Sequence, residues 1–264
     1  MRIVPVLLAS CGLGFRGNPG RRAALRFRHG PRPRDKCAQL TYLTLSNASI
    51  TTARTYSAGT FVGTAQDFTG TDLSAFYGKL PEFCRVIVDA KPSADSDIKV
   101  EVWMPVHQWN GRLQATGNGG FAGQIALDEL GALMAKGYAA TATDAGHTGS
   151  PIDATWALGH PEKVIDFGHR GIHEMTRVAK LVMEQFYGSA PRHAYFAGCS
   201  DGGREALMEA QRYPADYDGI LAGAPANNWT GLLSMAAADT DALVVPPGAE
   251  GHICRAARRE GPAG

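Results

Sequence analysis

The feature that most constrains this chain is Gly198-Cys199-Ser200-Asp201-Gly202, lodged between a predicted buried strand, His193 to Ala197, and a predicted helix from about Gly203 to Tyr213. Glycines flank a serine at such a junction because a side chain at either position would collide with the neighbouring backbone in so sharp a turn. The segment reads as a nucleophile elbow. It lifts the Ser200 hydroxyl clear of a sheet and puts the Asp201 backbone N–H at a helix N-terminus, where partial positive charge favours a developing oxyanion. A chain with 32 glycines also produces G-x-S-x-G by chance. The weight of the motif therefore rests on its surroundings.

Those surroundings alternate strand and helix. Segment 37 to 90 reads as short strands, including Arg54 to Ala58 and Phe83 to Val88. Ile98 to Trp103 alternates apolar and charged residues, as a half-exposed strand should, and Met104-Pro105 ends it. A strand at Arg112 to Thr116, a glycine turn from Gly117 to Gly123, a helix from about Ile125 to Lys136 and a strand at Tyr138 to Thr143 follow. Asp144 to Gly168 has little periodicity and reads as a functional loop. From Gly171 to Tyr187, Ile172, Met175, Val178, Ala179, Val182 and Phe186 recur at helical spacing, and Gly219 to Gly223 is a further buried strand. The order implies an α/β domain with a mostly parallel sheet and helices on both faces.

Composition narrows the function classes. The 264 residues, 44% hydrophobic, suffice for one large α/β domain. A net charge of +1 without a basic stripe points away from nucleic acid, and no run of about 18 apolar residues provides a membrane span. Met1-Arg2 precedes a short apolar run ending in Leu8-Ala9-Ser10-Cys11, which resembles a lipoprotein signal with Cys11 as the anchor position; a wrongly assigned start is the alternative. Residues 1 to 35 are accordingly set apart from the fold. Five cysteines with no C-x-x-C pair argue against zinc ribbons and thioredoxin-like motifs, and either disulfides or buried thiols remain.

An acyl hydrolase needs an activated hydroxyl, a base and oxyanion donors. Ser200 supplies the first; the Asp201 N–H, with an N–H of Gly119 or, preferred, Gly120, supplies the last. The glycine turn has a rival reading. Gly117-x-Gly119-x-x-Ala122 fits the dinucleotide fingerprint, and Asp144 falls where a ribose-binding carboxylate belongs, but this leaves Gly198 to Gly202 unexplained. His169 and His173, four apart, permit a zinc reading, against which loop-bracing hydrogen bonds are favoured; no metal site is expected. Arg204, Glu205, Glu209 and Arg212 read as a solvated helix face.

At this point the residues resemble a known family, the tannases and feruloyl esterases, which are α/β hydrolases. The likeness rests on Gly198-Cys199-Ser200-x-Gly202-Gly203-Arg204, on Met208 to Pro214, on Asp218 to Ala226, on Gly146-His147-Thr148-Gly149-Ser150 and on Trp109-Asn110-Gly111-Arg112. It covers about residues 37 to 235. The resemblance implies hydrolysis of small esters of hydroxylated aromatic acids by exported serine esterases, secreted or periplasmic. It also implies a Cys37–Cys84 disulfide, and a bond between the cysteine before the serine, here Cys199, and a cysteine beside the catalytic histidine. A lid that often binds calcium, an aspartate and a His-Cys pair belong beyond Pro225, and these residues do not show them. Asp216, Asp218, Asp239 and Asp241 lie too close behind Ser200 for the Ser…Asp…His order, and His252-Ile253-Cys254 has one residue too many between histidine and cysteine. Residues 236 to 264 read as disordered or frameshifted. The expectation is an incomplete hydrolase domain over 36 to 235 that keeps nucleophile and oxyanion donors without acid, base or cofactor. Cys199 is expected as a free thiol, or paired with Cys254. A non-catalytic binding module on a hydrolase sheet is the alternative.

Overall fold

The computed structural model describes residues 35–64 and 70–243. The signal-like segment with Cys11, His252 and Cys254, and the side chain of Asp241 lie outside the described residues. Among the described residues seven strands form one sheet: β1 (Ala48–Tyr56), β2 (Phe83–Ala90), β3 (Ile98–Pro105), β4 (Arg112–Thr116), β5 (Ala139–Thr143), β6 (His193–Cys199) and β7 (Gly219–Gly223). Their order is β1-β2-β3-β5-β4-β6-β7. Pairing is antiparallel from β1 through β2 and β3 to β5, and parallel from β5 through β4 and β6 to β7. The parallel half carries the elbow.

The helices are α1 (Lys36–Gln39), α2 (Ser74–Tyr77), α3 (Leu127–Met134), α4 (Pro161–Ile165), α5 (Gly171–Tyr187), α6 (Asp201–Arg212) and α7 (Trp229–Leu243). They build a core on each face of the sheet. On one face, Ile172, Met175, Val178 and Val182 of α5 pack with Val86, Val100 and Val102; on the other, Leu130 and Met134 of α3 pack with Phe61, Tyr77, Phe83 and Trp103. The α5 stripe is the one its spacing predicts, and Gly188, at φ 79°, ends that helix in the left-handed conformation glycine tolerates.

Cys37 is bonded to Cys84, with Cα atoms 5.5 Å apart. The Asp35 carboxylate caps α1 by accepting from the Cys37 N–H (2.9 Å) and also accepts from Thr55 Oγ1 (3.0 Å), so the disulfide and the cap together fasten α1 to β1 and β2.

Two expectations need correction. β3 is not half-exposed: Glu101 is buried because Arg85 Nε and Trp103 Nε1 both donate to its Oε2, at 2.7 and 2.6 Å. Alternating charge there marks internal pairing and not a wet face. The loop after Asp144 contains a 3-10 turn at Thr155–Ala157, α4, and a π turn at Asp166–Arg170 that runs straight into α5. α7 runs across position 235 to Leu243, into the segment read as disordered or frameshifted.

Candidate active site

The site is built where β6 meets α6. Ser200 sits at φ 61° and ψ −116°, a backbone conformation costly for a non-glycine residue, and it is exposed. The strained turn is held from several sides. The Ser200 N–H donates to the Gly223 carbonyl (3.1 Å), while the Ser200 carbonyl accepts from the N–H groups of Arg204 (3.1 Å) and Ala226 (2.8 Å). The flanking glycines are obligatory on steric grounds. A Cβ at Gly198 would lie 2.4 Å from the Gly202 oxygen, and one at Gly203 would lie 2.3 Å from the Gly223 oxygen.

The glycine turn after β4 packs directly against this elbow. The Gly117 N–H donates to the Ala197 carbonyl (3.0 Å) and the Gly202 N–H to the Asn118 carbonyl (2.7 Å). A Cβ on Gly202 would lie 3.0 Å from Gly117 Cα. Beyond Asn118, the Phe121 N–H donates to the Pro151 carbonyl (2.7 Å), the Ala122 N–H to the Gly119 carbonyl (3.0 Å) and the Gly123 N–H to the Asp144 carbonyl (3.1 Å). The N–H groups of Gly119, Gly120 and Asp201 have no backbone acceptor among the described residues. Gly120, at φ 59°, could not carry a side chain, since its Cβ would stand 2.2 Å from the Pro151 oxygen.

Behind the turn lies a buried polar layer. Arg204 Nε donates to Asp201 Oδ1 (2.6 Å), and its terminal nitrogens donate to the carbonyls of Gly168 (2.8 Å) and Phe167 (3.0 Å), with the guanidinium 4.5 Å above the Phe167 ring. The Asn118 N–H and Nδ2 donate to the two oxygens of Glu205, each at 2.9 Å. Burial pushes the Glu205 carboxyl up to about 7 and raises Asp201 too, against the pull of Arg204. His147 is buried against Trp156, ring centroids 3.9 Å apart, and burial lowers it to about 4.

The family model described as "Tannase and feruloyl esterase" matches residues 84–255. The chain belongs to that family. An uncharacterized esterase of Xanthomonas campestris pv. campestris is 42% identical over 193 residues, which is 73% of this chain and 32% of that protein. A probable feruloyl esterase B-1 of Aspergillus terreus is 42% identical over 155 residues, 59% of this chain and 29% of that one. The crystal structure of feruloyl esterase B from Aspergillus oryzae matches with a TM-score of 0.66 at 30% identity, covering 75% of this chain and 38% of its own. An esterase from the same organism matches with a TM-score of 0.68 at 31% identity, covering 81% and 42%. The fold is therefore α/β, of the hydrolase type these neighbours share. The chain spans about a third of the length of the relatives it matches.

In this member of the tannase and feruloyl esterase family the structure brings Ser200, Asp201 and the Gly117–Gly120 turn together and leaves other candidates apart. Asp144 cannot serve a ribose. Its buried carboxylate already accepts from Lys99 N (2.9 Å), Gly146 N (3.0 Å) and Thr148 Oγ1 (3.1 Å), which with the family match overturns the dinucleotide reading. Asp216 and Asp218 are occupied as braces, Asp216 with His173 Nδ1 (2.7 Å) and Asp218 accepting from the Ala194 N–H (2.7 Å). His169 Nδ1 meets the Tyr213 hydroxyl at 2.7 Å. Among the described residues no three metal-ligating side chains come together, and no histidine bonds Ser200. Among the described residues Cys199 has no disulfide partner, and its side chain is exposed; Cys254 lies outside them.

The solvated-face reading of α6 is wrong for three of its four residues. Arg204, Glu205 and Glu209 are 6%, 1% and 0% exposed, and only Arg212 faces water. The glycines at 202 and 203 let the helix approach so closely that its charged first turns are enclosed. That pair of glycines, immediately before an Arg-Glu pair, was the available sequence signal.

Proposed function

We propose that this chain carries the nucleophile half of a serine carboxylic-ester hydrolase acting on esters of hydroxylated aromatic acids. Ser200 Oγ attacks the ester carbonyl carbon, its proton passes to a base and then to the departing alcohol, and water releases the acid from the acyl-enzyme. Negative charge on the carbonyl oxygen is met by the N–H groups of Asp201 and Gly120. The observation that carries the reading is the Ser200 backbone, held at φ 61° beside a glycine turn whose Gly119 and Gly120 N–H groups have no backbone acceptor among the described residues. Esterase relatives support it.

No base touches Ser200 among the described residues, so the expected turnover of methyl gallate or methyl ferulate by the 264-residue chain is close to background. Loss of a triad member costs about 10⁴ to 10⁶ in such enzymes. The same observation supports a second reading, binding of the aromatic ester without turnover. Turnover and equilibrium binding of methyl ferulate, measured on the chain and on Ser200→Ala, separate the two. Efficient hydrolysis lost in Ser200→Ala would establish a base within the chain, and loss in His252→Ala as well would identify it. Hydrolysis unaffected by Ser200→Ala would overturn the nucleophile assignment. The Cys37–Cys84 bond suits export to an oxidising compartment, and no helix among the described residues is long and apolar enough to cross a membrane.

A further inference from the structure

Between Asn118 and Phe121 the glycine turn hangs from two fixed points. At the far end, the Phe121 N–H is tied to the Pro151 carbonyl at 2.7 Å. At the near end everything converges on Asn118. Its backbone N–H and its Nδ2 each reach one oxygen of Glu205 at 2.9 Å, and its carbonyl accepts from the Gly202 N–H at 2.7 Å. Because a peptide unit is planar, fixing the Asn118 carbonyl also fixes the direction of the Gly119 N–H on the same peptide. Gly119 and Gly120 have no side chains to hold them, and both are exposed. A turn of this composition left to itself samples many conformations.

Glu205 is an expensive choice for a merely structural place. It is 1% exposed, and Asp201, a second buried acid, sits four residues before it on α6. A buried carboxylate is retained at a cost when its acceptor geometry is required, and here both oxygens are spent on one residue of the turn. We infer that Glu205 is a positioning residue: through its two hydrogen bonds to Asn118 it sets the Gly119 and Gly120 N–H groups beside the N-terminus of α6. The inference rests on the esterase reading for its purpose, but not for its geometry.

The test compares the full chain with Glu205→Leu, Glu205→Gln and Asn118→Ala, using ¹⁵N order parameters and amide exchange. Glu205→Leu removes both acceptors at similar volume. In Glu205→Gln the amide oxygen accepts the backbone N–H of position 118, and the Asn118 amide, turned over, accepts from the new NH₂, so both bonds are kept. Order parameters at Gly119 and Gly120 are expected near 0.85 in the parent and in Glu205→Gln, and below about 0.6 in Glu205→Leu. Exchange at the amides of 118 and 202 should quicken about tenfold in Glu205→Leu and stay near the parent in Glu205→Gln. A loss of general stability would move neither selectively. Unchanged order parameters in Glu205→Leu, or a Glu205→Gln variant as mobile as Glu205→Leu, would overturn the inference. Should Glu205→Leu fail to fold, Asn118→Ala removes one of the two donors and is read the same way.

The oxyanion donors remain without a base, so the parent should hydrolyse the activated ester 4-nitrophenyl acetate weakly, unlike the methyl esters; the part of this rate lost in Ser200→Ala should fall on the order of tenfold or more in kcat in Glu205→Leu with KM little changed, as for a displaced oxyanion donor. Absence of any such Ser200-dependent rate in the parent would count against the esterase reading alone, since the order parameters report the clamp without turnover.

Discussion

Single residues around the elbow differ sharply in what they tolerate, and the differences follow from distance. Gly198→Ala would drive a methyl group to 2.4 Å from the Gly202 oxygen, a backbone atom that cannot swing aside. We expect it to cost about 2–3 kcal/mol, the range of overpacked sites. Gly119→Ala meets nothing within 4 Å, and should stay within about 0.5 kcal/mol of the parent. Urea unfolding of both checks this; equal effects would show that the turn yields more than its packing implies. The contrast also explains what could be read beforehand. The need for small residues around Ser200 is local, so it is written as G-x-S-x-G in adjacent positions. Glu205 is different. Its partner Asn118 lies 87 positions away, and nothing near Glu205 in the chain says that water is excluded there.

At the scale of elements, helix α6 makes that lesson testable. Burial pushes the Glu209 carboxyl from 4.5 up to about 8, and the negative charge of Asp216 adds to the rise. The folded state thus keeps a proton that the unfolded chain releases, so its stabilisation is complete at low pH and is lost as pH rises from about 4.5 to 8. Glu209→Gln cannot ionise. Its stability relative to the parent should climb by on the order of a few kcal/mol between about pH 5 and pH 8, then level off. A difference independent of pH would mean that Glu209 titrates normally. At the other end of the sheet, the Cys37–Cys84 bond closes a separation of 47 residues and should contribute about 4 kcal/mol by restricting the unfolded chain. Cys37→Ser with Cys84→Ser should lower the unfolding free energy extrapolated from urea by that amount, with a steeper slope because the freed unfolded chain exposes more surface. The α5 stripe was legible because its period is a property of that helix alone. The exposure of β3 was not, because it depends on Arg85, thirteen residues earlier than Ile98, crossing to meet Glu101.

For the whole molecule, the alternation of strands and helices announced an α/β sheet, yet the order β3-β5-β4-β6-β7 and the antiparallel start follow from which strands meet in space. One consequence concerns its border. β7 pairs only with β6, so one side of Gly219–Gly223 offers unpaired N–H and carbonyl groups among the described residues. The strand is apolar as well as unpaired: Leu221 is 68% exposed, and beside it an open hollow lined by Gln114, Tyr195, Phe196, Ile220 and Leu221 lies across β4, β6 and β7. Nearby in sequence, Leu232, Leu233 and Met235 on α7 are also exposed. Flat apolar edges of this kind recruit further strands, and a lysine on the edge is the usual protection against it. We therefore expect the chain to self-associate with rising concentration, and Leu221→Lys to suppress the light scattering while leaving the circular dichroism spectrum unchanged and the unfolding free energy within about 0.5 kcal/mol of the parent. The substitution adds charge at a position already in water, so it has no burial to lose. A parent that stays monomeric at high concentration, or a Leu221→Lys variant that scatters as strongly, would show that this edge is covered in solution.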